Sequence, residues 1–117
     1  MSQVVYYTPD SEIKTECASE ALALLLGKKW VPRIIEILSQ GPQRFGQLHK
    51  ELDGASPKML KQQLALLEAN GLIINHKESQ ANQVSSTYCL TDTGQSLVAI
   101  ISVMKDWGSQ HLQCDHS

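Results

Sequence analysis

The stretch Gly54-Ala55-Ser56-Pro57-Lys58-Met59-Leu60-Lys61-Gln62-Gln63-Leu64-Ala65-Leu66-Leu67-Glu68-Ala69-Asn70-Gly71 constrains the fold most, because it carries its own start and its own stop. Ser56 caps free backbone N–H groups, and Pro57 suits a first helical position, where no N–H is needed. Asn70-Gly71 ends the helix, since glycine tolerates the left-handed C-terminal position. Leu60, Leu64 and Leu67 recur at i, i+4, i+7 and form one apolar face. At about 100° per residue, Lys58, Gln62 and Ala65 fall on the opposite face with Lys61 on its flank. That outer face is basic and amide-bearing and meets no acid until Glu68. Lysine suits phosphates and guanine edges, and glutamine can bond adenine through both its groups. An ordinary solvated helix is the alternative, and this helix alone does not separate the two.

Charge distribution bears on the choice. The chain has 117 residues and a net charge of −2, which argues mildly against a nucleic-acid partner. Yet Lys28, Lys29, Arg33, Arg44, Lys50, Lys58 and Lys61 face only Glu36, Glu51 and Asp53 within residues 28–61, a local net of +4 that leaves −6 for the rest. A basic central segment in an acidic chain implies one cationic face; chance clustering is the competing explanation.

Upstream, residues 1–16 read as an irregular arm with a turn at Thr8-Pro9-Asp10-Ser11. Cys17 to Leu26 reads as a short helix with Leu22, Leu25 and Leu26 on one face, ended by Gly27. A second helix opens at Trp30-Val31-Pro32 and runs through Leu38, and Gly41-Pro42 breaks it. Arg44 to Leu52 is a third, with Phe45, Leu48 and Leu52 spaced i, i+3, i+7. A short turn, Asp53-Gly54-Ala55, joins it to helix 56–70, which is a helix-turn-helix pattern.

After Gly71 the period changes. Leu72 to Lys77 is β-branched enough for a strand, Glu78 to Ser86 reads as a hairpin tip, and Thr87 to Leu90 as the returning strand. Thr91 caps a last helix, with Asp92 at its positive end. Along it Leu97, Ile100, Ile101, Met104 and Trp107 form an apolar stripe, flanked by Val98 and Val103, that marks a partner surface unless the helix simply closes the core. The fold class is thus mainly α with a small β-hairpin, a winged helix-turn-helix. Its expected organisation is an arm over 1–16, a winged-helix domain over 17–108 and a tail over 109–117.

The chain at this point resembles the HxlR-type transcriptional regulators of bacteria, within the MarR-like winged helices. The matching residues are Cys17, Leu25-Leu26-Gly27-Lys28-Lys29-Trp30, Gly41-Pro42-Gln43-Arg44-Phe45, Leu48, Gly54 to Leu60, Leu64, Leu67-Glu68, Asn70-Gly71-Leu72, Tyr88, Leu90-Thr91, Gly94 and Trp107-Gly108. The resemblance implies a homodimer that binds a roughly palindromic operator in double-stranded DNA. The candidate DNA contacts are Lys28, Lys29, Arg44, Ser56, Pro57, Lys58, Met59, Lys61, Gln62, Lys77, Asn82 and Gln83. The candidate dimer residues are Leu97, Ile100, Ile101, Met104 and Trp107, joined by the first helix and the arm. The chain departs from the family in two places: its wing carries no arginine before Tyr88, and Gln63 stands where a basic residue is usual. The alternative function is a winged-helix protein-interaction module, motivated by the acidity and the arginine-free wing.

In several members of the family this chain resembles, a cysteine at the Cys17 position senses oxidants or electrophiles, so an oxidant or other small-molecule effector is a candidate partner. A helix N-terminus lowers a thiol's pKa, while Glu16 and Glu20 oppose this. Cys89 reads as a small buried residue, and Cys114 as a candidate thiol for an intersubunit disulfide. The bland alternative, three inert cysteines, weighs equally.

No enzyme motif is present: no phosphate loop, nucleophile elbow or paired carboxylates. His49 and His76 read as surface residues. His111-Leu112-Gln113-Cys114-Asp115-His116 carries metal-ligating types, but ligands strung along a chain end rarely close a site. Neither metal nor cofactor is expected. Met1 to Tyr7 lacks a signal peptide's charged and apolar regions, and no apolar run approaches bilayer length, so a cytoplasmic protein without membrane contact is expected.

Overall fold

The helix Val31–Leu38, α2, lies at the centre of the core in the computed structural model, which describes residues 17–112. Val31, Ile34, Ile35, Ile37 and Leu38 are all buried, and Pro32 occupies the first turn, where its missing N–H costs nothing. Ahead of it α1, Ala18–Leu26, buries Ala21, Leu25 and Leu26, with Leu22 partly buried against the same core. The expected arm over 1–16, and Cys114 and His116, lie outside the described residues.

The helix-turn-helix is formed by α3, Phe45–Glu51, and α4, Pro57–Ala69. Leu48 and Leu52 are buried beneath the turn, and Phe45 packs half-buried against the core. His49 is a brace rather than a plain surface residue, its Nε2 lying 2.9 Å from the Ala55 carbonyl across the turn. The Met59 N–H donates to Ser56 Oγ at 3.1 Å, making the N-cap that the Ser-Pro pair predicts. At the other end Gly71 has φ +73°, Leu72 N–H donates to Leu67 O at 2.9 Å and Gly71 N–H to Glu68 O at 3.0 Å. A left-handed residue closing such bonds is glycine's role at a helix end. Leu60, Leu64 and Leu67 face inward as expected, and so does Leu66, because the C-terminal half of α4 is covered on two sides.

The sheet has three strands in the order β1-β3-β2, all antiparallel: β1 is Gln43–Arg44, β2 is Ile73–Gln80 and β3 is Gln83–Leu90. Two corrections arise here. Residues 43–44, expected as loop and helix start, pair with β3, Gln43 opposite Tyr88 and Arg44 opposite Thr87. A two-residue strand has no periodicity of its own and exists because β3 offers it hydrogen bonds. The wing tip is also far shorter than expected. Pairing runs out to Gln80 opposite Gln83, and only Ala81 and Asn82 turn the chain, both with positive φ, 49° and 64°. Two such residues match the right-handed twist of the flanking strands. The polar strands lacked an apolar alternation because the wing projects into solvent on both faces.

The long helix α5, Asp92–His111, closes the domain and continues through residues 109–111, which were expected in the tail. Thr91 Oγ1 donates to Gly71 O at 2.6 Å and accepts from the Gly94 N–H at 3.0 Å, so one hydroxyl ties the end of α4 to the start of α5. Lys105 Nζ meets Glu36 at 2.9 Å and links α5 to α2. That pair is largely solvated and contributes at most about 1 kcal/mol. Among the described residues no helix is long and apolar enough to cross a membrane.

The apolar stripe of α5 divides. Leu97 and Ile101, expected at the dimer surface, belong to the protomer's own core, with Ile101 only 1 % exposed. Ile100, Met104 and Trp107 remain exposed, and Val103 joins them at 67 % exposure. The two sets lie roughly 100° apart around the helix, so one helix serves the core with one line and leaves the other bare.

Candidate nucleic-acid interface

The outer face of α4 is set by its inner one. With its leucines held in the core, Lys58, Met59 and Lys61 are exposed and Gln62 is half-buried at its side. Ser56 and Pro57 are exposed at the N-terminal end. Helix N-terminal N–H groups and two lysines together make a surface suited to phosphate. Gln63 does not belong to it: its Oε1 accepts the Trp30 backbone N–H at 3.0 Å, fastening α4 to the turn between α1 and α2.

Arg44 is exposed on β1 beside this surface. Its backbone N–H donates to Gln47 Oε1 at 2.8 Å, a contact that caps the start of α3. Lys61 reaches over the ring of Phe45, Nζ 5.7 Å from the centroid, so the cationic edge of α4 adjoins the start of α3. Lys28 is half-buried and Lys29 exposed on the α1–α2 turn, where Lys29 Nζ lies 5.1 Å from the Trp30 ring centroid. Lys77, Asn82 and Gln83 are exposed along the wing, with Asn82 at its turn.

The short strand β1 is what the sequence did not disclose. It sets Arg44 in one row with residues of the wing: Arg44 pairs with Thr87, and Thr87 pairs with His76. Directly opposed residues of antiparallel strands point to the same face. The other face carries Ile73 and Tyr88, both buried. Burial there pushes the Tyr88 hydroxyl above the ordinary phenol range; the nearby Glu68 carboxylate adds to this, and a hydrogen bond with Ser86 opposes it.

Cys17 is the N-cap residue of α1 and is exposed. Its Sγ lies 3.3 Å from Ser19 Oγ. That hydrogen bond, reinforced by the Glu20 backbone N–H, holds the thiol below its usual range, outweighing the repulsion of the Glu20 carboxylate. Cys89, expected to be buried, is only half-buried, because it lies on the outer face of the sheet opposite Ile74. Among the described residues no three potential ligands converge on a metal position. His111 instead stacks on Trp107, ring centroids 4.6 Å apart.

This geometry has close counterparts. A profile of the HxlR-like helix-turn-helix family matches residues 25–116. The chain is 36% identical over 99 residues, 84% of its length and 92% of the relative's, to a protein of Fusobacterium mortiferum that carries the name MalR. It is 35% identical over 91 residues to the HTH-type transcriptional regulator YodB of Bacillus subtilis, covering 78% of this chain and 80% of YodB. The reduced form of YodB superposes with a TM-score of 0.71 over 88% of this chain and 99% of that one, at 32% identity. The redox regulator HypR in its reduced form gives a TM-score of 0.73 at 28% identity, over 80% of this chain and 92% of that one. With the family profile spanning its helix-turn-helix and wing, the chain belongs to the HxlR-like helix-turn-helix family of transcriptional regulators.

Proposed function

We propose that the protein is a cytoplasmic, homodimeric regulator that reads a roughly palindromic DNA operator with α4. The observation that carries this is the acid-poor face of exposed Lys58, Met59 and Lys61, with half-buried Gln62 at its side, above a buried leucine face. Gln62 reads a base edge, Lys58 and Lys61 meet phosphate or guanine, and Ser56 and Pro57 bring the helix N-terminus to the backbone. Arg44, Lys28 and Lys29 hold phosphates, and Lys77, Asn82 and Gln83 of the wing lie along the neighbouring groove. The exposed line of Ile100, Val103, Met104 and Trp107 supports a two-fold contact through α5. Two copies then present their reading helices about one DNA turn apart, which is why the operator is palindromic.

The signal that we assign is an oxidant or electrophile acting at Cys17. Its exposure and its stabilised thiolate support this, as does the likeness to YodB and HypR, the latter titled a redox regulator and described in reduced and oxidised forms. The test is a gel shift on the DNA flanking the chain's own gene at two salt concentrations, repeated after mild oxidation. Specific, salt-sensitive binding that changes reversibly with oxidation is the expected result. Absence of any shift at low salt would replace this function with that of a protein-interaction module.

A further inference from the structure

His76 is exposed in the middle of the wing and takes no part in the contacts described above. Its place in the sheet gives it a specific company. Counting across the strands, Arg44 on β1, Thr87 on β3 and His76 on β2 stand side by side in one register row. All three project from the face opposite buried Ile73 and Tyr88. Two strand spacings separate Arg44 from His76, about 10 Å between backbones. That span lies within the combined reach of a guanidinium and an imidazole, with a group of phosphate size between them above Thr87, whose hydroxyl is a third donor. The row adjoins the α4 surface through Phe45, the neighbour of Arg44 and the ring that Lys61 overlies.

We propose that Arg44, Thr87 and His76 form a three-strand seat for one DNA backbone phosphate, and that protonation of His76 strengthens operator binding as the pH falls. The proposal rests on the DNA-binding function above and adds to it a contact residue and a pH dependence. The seat adds a second cationic donor to a wing whose turn is Ala81-Asn82 and whose other basic side chain is Lys77. Histidine is the side chain whose charge ordinarily changes between pH 5 and 8. As imidazolium it offers two N–H donors and a full charge to the phosphate; as neutral imidazole it offers one donor and no charge.

The charged and titratable groups around His76 are few. Glu78 lies two residues further along the same face of β2, opposite Ser85. Cys89 lies diagonally across on β3, opposite Ile74. Arg44 stands two strands away on β1, in the same row. Tyr88 and Lys77 point to the other face, and Lys61 overlies the ring of Phe45, the neighbour of Arg44. A bound phosphate thus tips the balance to imidazolium, and by reciprocity acid tips the protein to bound phosphate.

The experiment is fluorescence anisotropy with a labelled duplex of the DNA flanking the gene, at pH 6 and pH 8 and over a salt series. Wild type, His76→Gln and His76→Lys are compared, each checked for folding by circular dichroism. The expected result is roughly tenfold tighter binding by wild type at pH 6 than at pH 8, with a salt slope steeper by about 0.9 for each phosphate gained. His76→Gln should bind at both pH values as wild type does at pH 8. His76→Lys should bind at both nearly as wild type does at pH 6. Equal wild-type affinity at the two pH values, or a pH dependence retained in His76→Gln, would overturn the phosphate seat while leaving DNA binding intact. No binding by wild type at either pH would overturn the DNA-binding function itself and the seat with it.

Discussion

Gln63 Oε1 accepts the backbone N–H of Trp30 at 3.0 Å, so a side chain of α4 holds that helix in place. The bond joins residues 33 positions apart and sets α4 against the α1–α2 turn, where Lys28 and Lys29 lie. Replacing Gln63 by Ala leaves a partly buried N–H unsatisfied and should destabilise the fold by about 1–2 kcal/mol. Thermal unfolding measures the loss. Base preference should stay unchanged, and a changed preference would mean that Gln63 faces DNA after all.

Gln62, one residue earlier, should behave in the opposite way. Gln62→Ala should keep wild-type stability and relax sequence preference by about 1–3 kcal/mol if both amide groups bond one base. Arg44→Ala should weaken binding to all sequences alike and lower the salt slope by about 1 per half-site. Titrations on an operator and a scrambled duplex distinguish the two effects, and unchanged affinity in both variants would remove DNA reading from this surface.

Gly94 lies where the start of α5 presses on the chain leaving α4. A Cβ built there would stand 2.0 Å from the Leu72 carbonyl oxygen, a backbone atom that cannot step aside. Gly94→Ala should therefore cost at least about 3 kcal/mol or prevent folding. Gly46 in α3 has nothing within 4 Å of the same position, and Gly46→Ala should stabilise by about 0.5–1 kcal/mol. Denaturant unfolding of both variants reads opposite signs.

On α5, Ile101 and Met104 should separate folding from assembly. Ile101 is 1 % exposed, and Ile101→Glu should unfold the chain, since an unpaired charge cannot be buried there. Met104 is 45 % exposed, and Met104→Glu should leave a folded monomer. Sedimentation at micromolar concentration checks this, and a wild-type monomer under those conditions would count decisively against the dimer.

For Cys17 the expected pH dependence has a definite sign. The Ser19 hydroxyl donates to the thiolate and holds its pKa below the ordinary thiol range, so the alkylation rate should rise to its plateau at a lower pH than for an unstructured cysteine. Ser19→Ala removes the largest cause and should move the inflection upward. Measured with Cys89 and Cys114 replaced by serine, an unmoved inflection would assign the reactivity to other causes. After a mild oxidant or quinone, operator affinity should change in wild type and stay constant in Cys17→Ser.

Local elements whose signals are self-contained were legible from the residues alone. Ser56-Pro57 and Asn70-Gly71 bracket α4 because capping and left-handed closure involve only a few neighbouring residues. Lys58 and Lys61 could be placed outside because the leucine spacing left them no other face. What required the tertiary structure was whatever depends on a partner distant in the chain. Arg44 becomes a strand residue only because β3 passes beside it, and a two-residue pairing leaves no period to read. Residues 78–80 and 83–86 extend the wing without apolar alternation because both faces of a projecting hairpin meet water. Gln63 looks like its neighbour Gln62 until Trp30 is brought within 3.0 Å of it. The α5 stripe reads as one apolar surface in sequence, and only the position of α2 and the sheet decides that Leu97 and Ile101 turn inward while Met104 and Trp107 do not. Helical periodicity reports that a side chain is apolar and where it lies on the cylinder; which arc of that cylinder is covered is set by the elements packed against it.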